Sequence, residues 1–514
     1  MRTGPLPDAT TRLPEWAVPL LMLAAALLFR ALSFVPAVVD TDEGLYILQA
    51  REWLRGGWPL DAVWDMHPIG APAVFAIGMA GFGSGIAAVR LLGAVFVALT
   101  AWALYGLART GGVARAPSLG AGVLYAALTT QFGGMATNTE LLFAPFVVAA
   151  LTIGLRGAVT ALDWDEAPRW SSLFWMGLLV GIALTIKPVA TPEGCLAFAL
   201  LVLVPLWRGV LGFARGLAMA VVYAGLCALP TLLFALAYAI KGDLAEFLDG
   251  SFEAPMRYAG GRHGFSDAAW AVGIAALTVL WPIVLGVVAL VGRRTPEGMV
   301  PVSSPGRRMG VLGLAWLAAA SLAIAGPGMF YIHYFLIWLP PLSLLAALGA
   351  WALVDRLWPA RAALGFSVII GVVAVDAWRV DTIPRLRQGI GLHAPDPVRE
   401  VARAVAAVIA PGEPVLMANY HSVVIALSGA GLATRYAFPP HFTGLYGGVT
   451  GIDIDAEVAR VLAERPAAIV VDRGWWHSIR PEVQAMLTTA LAEGYVLAAS
   501  VPEERGMVEV WRRR

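Results

Sequence analysis

Three carboxylates stand within four residues at Asp40-Thr41-Asp42-Glu43, where the first long apolar run, residues 16–39, comes to an end. Carboxylates crowded beside a low-dielectric phase resist ionisation, and one of them can take the proton of a hydroxyl nucleophile. The plainer alternative is a helix start: Asp40-x-x-Glu43 fits a capping box, and acidic groups favour the positive end of a helix dipole. An imidazole follows in Trp64-Asp65-Met66-His67-Pro68. A further carboxylate, Glu140, sits in the turn Thr137-Asn138-Thr139-Glu140 at the mouth of another apolar run, where a solvated loop acid is equally reasonable.

Cations and imidazoles mark the ends of other apolar runs, at Lys187-Pro188, Arg262-His263 and His333-Tyr334. Each alone is explained by snorkelling or by a satisfied interfacial histidine. Taken together with the carboxylates, they suit an acceptor hydroxyl activated by an aspartate and a lipid-linked phosphate leaving group held by positive charge. Arg30, inside the first run, is expected to turn towards these groups or to snorkel outward.

The elements that must position these residues are set by composition. Of 514 residues, 59% are hydrophobic and 14% charged, and mean hydropathy is +0.73, whereas soluble chains carry about 25% charged residues. The expected fold is a polytopic α-helical membrane protein. Spans are expected near 17–39, 89–108, 118–134, 140–156, 171–186, 190–207, 216–240, 268–292, 309–325, 331–353 and 362–378, about 11 in all. The first run lacks a small-residue cleavage site and reads as a retained helix. A net charge of +1 argues against nucleic acid as a partner. Cys195 and Cys227 both fall in expected spans and carry no information about redox compartment.

Orientation follows from the arginines, which concentrate in alternate loops, at 2 and 12, 109 and 115, 156 and 169, 208 and 215, 293 to 308, and 356 and 361. By the positive-inside rule these loops are cytoplasmic. The acidic cluster then faces outward, and an odd number of spans places the C-terminal region on the same side. The loop 40–88 is too long for a turn. Leu45, Leu48, Tyr46, Ala50 and Trp53 give it an apolar helical face, Gly56-Gly57 ends that helix, and the helix is expected to lie flat at the interface. A second short helix is expected at 72–79. Residues 1–378 are thus expected to form the membrane catalytic domain and 379–514 a small extracytoplasmic α/β domain. In the latter, strand-like runs at 415–418, 467–471, 496–501 and 508–511 alternate with helices opening at Asp396-Pro397 and at Asp455.

No Walker A sequence, HExxH, zinc-spaced Cys/His set or GxSxG elbow occurs, and Gly429-Ala-Gly431 is an isolated GxG. A divalent metal is compatible with the chemistry, but no ligand spacing calls for one. A nucleotide-sugar donor belongs to the other side of the membrane.

At Asp42-Glu43-Gly44-Leu-Tyr46 with Gln49-Ala50-Arg51-Glu52, the chain resembles the GT-C superfamily of polyprenyl-phosphate-sugar glycosyltransferases, specifically bacterial relatives of protein O-mannosyltransferases and of the lipid A aminoarabinose transferase. The likeness continues at 62–68, at Asn138-Thr-Glu140-Leu-Leu-Phe143, at 181–188 and at 333–341, in that order. It implies that Asp42 is the general base, Glu43 its neighbour in orienting a substrate and Glu140 a carboxylate near the sugar. His67 stands where the family has a phosphate-contacting lysine. Asp40, Tyr46, Lys187, Arg262, His333 and Tyr334 complete the expected substrate and phosphate contacts. The implied protein is a glycosyltransferase of the bacterial cytoplasmic membrane, taking a polyprenyl-phosphate-linked sugar from membrane lipid to a hydroxyl acceptor of the envelope and inverting the anomeric centre. A polytopic transporter or flippase, and an envelope polymer ligase, remain open beside it. The aromatic, Gly/Pro-rich stretch 436–448 is either an ordinary packed loop or one that selects the acceptor.

Overall fold

The computed structural model describes residues 13–261, 264–291 and 304–514, together with the short antiparallel pair Arg294–Thr295 and Gly298–Met299. Each expected span overlaps a helix, but residues 35–39 and 129–134 of two of them are not helical, and not all of the helices are long. Among the described residues seven are long and apolar enough to cross a membrane: Ile86–Thr110, Thr139–Asp163, Pro188–Trp207, Phe213–Lys241, Pro305–Ala325, Ile332–Leu357 and Pro359–Arg379. The pair Phe265–Thr278 and Leu280–Val291, bent by 79°, makes an eighth if counted as one span. The helices Glu15–Phe29 and Arg115–Leu128 are shorter than the spans expected there, and Trp170–Ile186 matches its expected run in length.

The first is short for a local reason. Helix Val18–Phe29 stops at Arg30, whose guanidinium turns to the backbone carbonyls of Gly134, Met135 (3.0 Å) and Ala136 (3.2 Å). Arg30 is fully buried. It does not snorkel; it turns to the carbonyls of the turn that precedes Glu140, where an unpaired acceptor in a membrane protein would be costly. Gly93 makes room for it, since a Cβ there would stand 3.1 Å from Arg30 Nη2.

The chain divides into two compact units, one of Met1–Leu32, Gly93–Leu233 and Arg262–Arg385, the other of Ser33–Leu92, Phe234–Gly261 and Leu386–Arg514. Composition changes near 378, yet the acidic loop 40–88 shares its unit with the C-terminal residues. The first unit is the helical one, and residues 339–350 of its Leu339–Leu357 helix are buried throughout.

The second unit is built on a five-stranded sheet: β1 Pro414–Met417, β2 Gly431–Leu432, β3 Ala468–Asp472, β4 Tyr495–Glu503 and β5 Gly506–Arg513. Their order is β2-β1-β3-β5-β4, with β1 parallel to both neighbours and β5 antiparallel to both of its own. Four of these strands match the expected runs; β2 and the helix Pro481–Gly494 are additional. The central strand β3 reads Ala-Ile-Val-Val-Asp and is buried at every position, as a strand covered on both faces requires. Helix Pro397–Ala406 starts where expected, with Asp396 accepting from the N–H of Arg399 at 3.2 Å.

Trp64 and Met66 of the acidic loop lie in the hydrophobic core of this sheet, among Leu416, Ile469, Val471 and Leu487. The backbone N–H of Trp64 donates to the carbonyl of Arg435 at 2.9 Å. Helix Thr41–Leu54, expected to show one apolar face, is instead covered from Glu43 to Arg51. Arg51, on the same helix, is buried and donates to the carbonyls of Ile425 (3.1 Å) and Ala430 (3.2 Å). Gly44 permits the close approach: a Cβ there would stand 3.1 Å from the backbone nitrogen of Val423. The second helix of the loop is Gly70–Phe82, longer at both ends than expected.

Candidate active site

The acidic cluster is resolved by its surroundings into three different roles. Asp40 has extended backbone angles and its Oδ1 accepts from the N–H of Asp42 at 3.1 Å, so it is the N-cap of helix Thr41–Leu54. Glu43 is buried, with its Oε2 2.6 Å from Nη2 of Arg90, itself fully buried. Asp42 alone of the two first-turn acids is partly exposed.

Arg90 was not among the expected site residues. Its signal is an arginine near the start of an apolar run, which is costly unless paired. Asp65 was also missed, although it stands inside a quoted motif. It is fully buried, and His67 donates from Nδ1 to its Oδ1 (3.0 Å) and Oδ2 (3.1 Å). Burial by itself would raise the Asp65 pKa. The charge and hydrogen bond of His67, with help from His441 and the Met66 N–H, hold it below the ordinary carboxylate value. A carboxylate behind Nδ1 fixes the tautomer and the orientation of the ring. Tyr46 meets the His67 ring edge-on at 6.2 Å and the Phe75 ring at 5.5 Å, which makes it a wall for the imidazole.

The other expected residues gather in the first unit. Helix Trp170–Ile186 ends at Lys187, whose backbone is extended, as the residue before a proline prefers. Its Nζ lies 2.5 Å from Oε1 of Glu140, in the first turn of helix Thr139–Asp163, and 4.4 Å from the centroid of the Tyr334 ring. Oε2 of Glu140 accepts from the Thr139 hydroxyl at 3.1 Å. Both members of the pair are buried. His333 packs edge-on to Tyr334 at 4.9 Å, stacks on Tyr331 at 5.9 Å, and is partly exposed. The ammonium is thus held between a carboxylate and an aromatic face, both favourable to a cation. Arg262 lies outside the described residues. Among the described residues no three His, Cys, Asp or Glu side chains are grouped to hold a metal ion.

Residues 66–234 match the family model described as dolichyl-phosphate-mannose-protein mannosyltransferase. The backbone is similar to that of ArnT from Cupriavidus metallidurans bound to undecaprenyl phosphate, with 17% identity over 98% of each chain and a TM-score of 0.57. The chain has the GT-C glycosyltransferase fold. The Archaeoglobus fulgidus oligosaccharyltransferase in complex with zinc and sulfate also aligns, at 12% identity over 96% of this chain and 73% of that one, with a TM-score of 0.49. No curated protein matches the sequence. Within the GT-C fold expected from the Asp42-Glu43 motif, the doublet opens the Thr41–Leu54 helix, and the Lys187-Pro188 motif supplies the cation of the Glu140 pair.

Proposed function

We propose that this protein is an inverting membrane glycosyltransferase that moves a sugar from a polyprenyl-phosphate carrier to an acceptor hydroxyl on the outer face of the bacterial cytoplasmic membrane. The observation that carries the reading is the division of labour in the Asp42-Glu43 doublet, where Glu43 is buried against Arg90 and Asp42 is partly exposed at the helix N-terminus. The GT-C fold and the match to a lipid-phosphate-sugar transferase family support it.

In this reading Asp42 takes the proton of the acceptor hydroxyl as its oxygen attacks C1 of the sugar. The new C1–O bond forms as the C1–O bond to phosphate breaks, and the polyprenyl phosphate leaves with the electron pair on its phosphate oxygen. The phosphate is a good leaving group, so positive charge serves better than an acid. Lys187 supplies fixed charge, and His67, oriented by the carboxylate of Asp65, supplies a hydrogen bond. Glu140 orients Lys187 and Glu43 anchors the helix that carries Asp42. Tyr334 flanks Lys187 and Tyr46 flanks His67.

A transporter built from inverted halves would have broken spans in paired positions. Among the described residues one bent pair occurs, at 265–291, and no second one favours that reading. The test is transfer of labelled sugar from a synthetic polyprenyl phosphate carrier in membranes containing the protein, followed by assignment of the product's anomeric configuration. Inversion is expected; retention, or no transfer to any envelope fraction, overturns the proposal.

A further inference from the structure

A cavity of about 430 Å³ opens in the second unit between the loop 419–422, the turn 472–478 and the end of strand β4. It falls within the roughly 300–1,000 Å³ of small-ligand sites. The stretch 436–448 contributes both to the core and to the wall of this cavity. Tyr436 and Phe442 are buried in the core, while Phe438, Pro439 and Pro440 form one wall of the cavity.

The polar groups in the wall are mostly fixed by the protein. Asn419 and the Asp472 backbone exchange two hydrogen bonds of 2.8 Å. The Tyr420 hydroxyl donates to Glu503 Oε2 at 2.8 Å. Asp472 Oδ1 accepts from the N–H groups of Gly474 (2.8 Å) and Trp475 (3.3 Å), which leaves Oδ2 for a ligand. Burial raises the Asp472 pKa, against the pull of those two N–H groups. Glu503 and Glu504 add further acceptors. Trp475 is 40% exposed with the Arg505 guanidinium 4.3 Å over its ring, so aromatic surface remains for a ligand.

His421 is the second independent sign of a ligand. It lines this cavity, and its Nδ1 is buried with no hydrogen-bond partner. Burial pushes its pKa down to about 4, against the pull of Asp396, so at neutral pH the ring is uncharged and can both donate and accept. Thr41 and His421 line this cavity and also the small depression walled by Asp40, Glu43 and Gly44. The cavity therefore borders the segment that carries Asp42.

A wall with several carboxylate oxygens asks for hydrogen-bond donors and repels anions such as phosphate. An indole offers the flat apolar surface that the C–H face of a sugar ring covers. We propose that this cavity is the acceptor subsite and takes a neutral pyranoside, whose hydroxyls donate to Asp472, Glu503 and Glu504 while its ring packs on Trp475. The assignment of the site as an acceptor subsite rests on the glycosyltransferase reading above; the binding of a pyranoside does not.

The test is saturation-transfer NMR on the full chain in detergent with methyl α-D-mannopyranoside, methyl β-D-glucopyranoside and methyl β-D-galactopyranoside, and with inorganic phosphate as competitor. At least one glycoside is expected to receive saturation at its ring protons, without competition from phosphate. Asp472→Asn and Glu504→Gln are expected to weaken binding about tenfold each, the worth of one charge-assisted hydrogen bond. Trp475→Ala is expected to abolish it and Trp475→Phe to preserve part of it, each with an unchanged unfolding temperature. Absence of binding by all three glycosides, displacement by phosphate, or equal binding in the folded variants overturns the proposal. Binding is read without transfer, so these outcomes leave the donor chemistry standing. If glycosides bind and no polyprenyl-linked sugar is ever transferred, the pyranoside site stands and its acceptor role falls.

Discussion

Glu43 and Arg90 form an ion pair of 2.6 Å in which both side chains are buried. Removing one partner leaves an uncompensated charge at a cost of about 3–5 kcal/mol, whereas replacing both with apolar groups is often neutral or stabilising. Arg90→Met and Glu43→Met alone are therefore expected to lower the unfolding temperature in detergent sharply, and the double variant to recover it. The recovered double variant is also expected to keep part of its transfer activity, because the proposed base is Asp42. A well-folded double variant as inactive as one lacking Asp42 would show that Glu43 acts on the substrate directly.

The Lys187–Glu140 pair makes a different prediction. Loss of one preorganised positive group at a developing anion costs about 10²–10³ in turnover. Lys187→Met is expected to reduce kcat in that range with a much smaller change in KM for the acceptor, and Lys187→Arg to retain an intermediate rate. An effect on acceptor KM alone would remove Lys187 from the leaving-group role.

The Asp65 environment sets a pH dependence of stability. Burial pushes the His441 pKa down to about 4, with Asp65 pulling the other way and His67 adding to the fall. An unfolded histidine titrates near 6.5. Between about pH 6.5 and 4 the unfolded chain binds more protons, so stability falls as pH falls through that window, by up to about 3 kcal/mol. Asp65 acts in the same direction at lower pH. Its folded pKa is depressed, so its stabilisation is present above the unfolded value and is lost as pH falls through the folded one. Unfolding temperatures measured from pH 7.5 to 4 are expected to decline, and His441→Phe, which keeps a ring beside Trp64, is expected to flatten the upper part of the decline. A parallel decline in both proteins would place the acid sensitivity elsewhere.

Much of this arrangement was legible in the sequence. An acidic residue before a first-turn Asp-Glu announces a capped helix, and Asp40 is that cap. Apolar runs of about twenty residues located the helices, and β-branched runs located four of the five strands. The pairings were not legible. Arg90 and Glu43, or Lys187 and Glu140, stand far apart in the chain, and nothing local says which carboxylate meets which cation. The same holds for Trp64, whose type suits a membrane interface as well as a sheet core; only its contacts with Leu416 and Ile469 decide. The partners of Arg30 were not legible either, because the carbonyls it satisfies come from a distant turn. The two-residue strand β2 is too short to carry an alternating pattern.

The central claim, that Asp42 is the base, is tested most directly by the transfer rate of Asp42→Asn in membranes supplied with a polyprenyl-phosphate sugar. A fall of about 10²–10⁴, the range of general-base catalysis, is expected with the protein folded, donor binding intact and Asp42→Glu partly active. Transfer by the folded Asp42→Asn protein at the wild-type rate would contradict it.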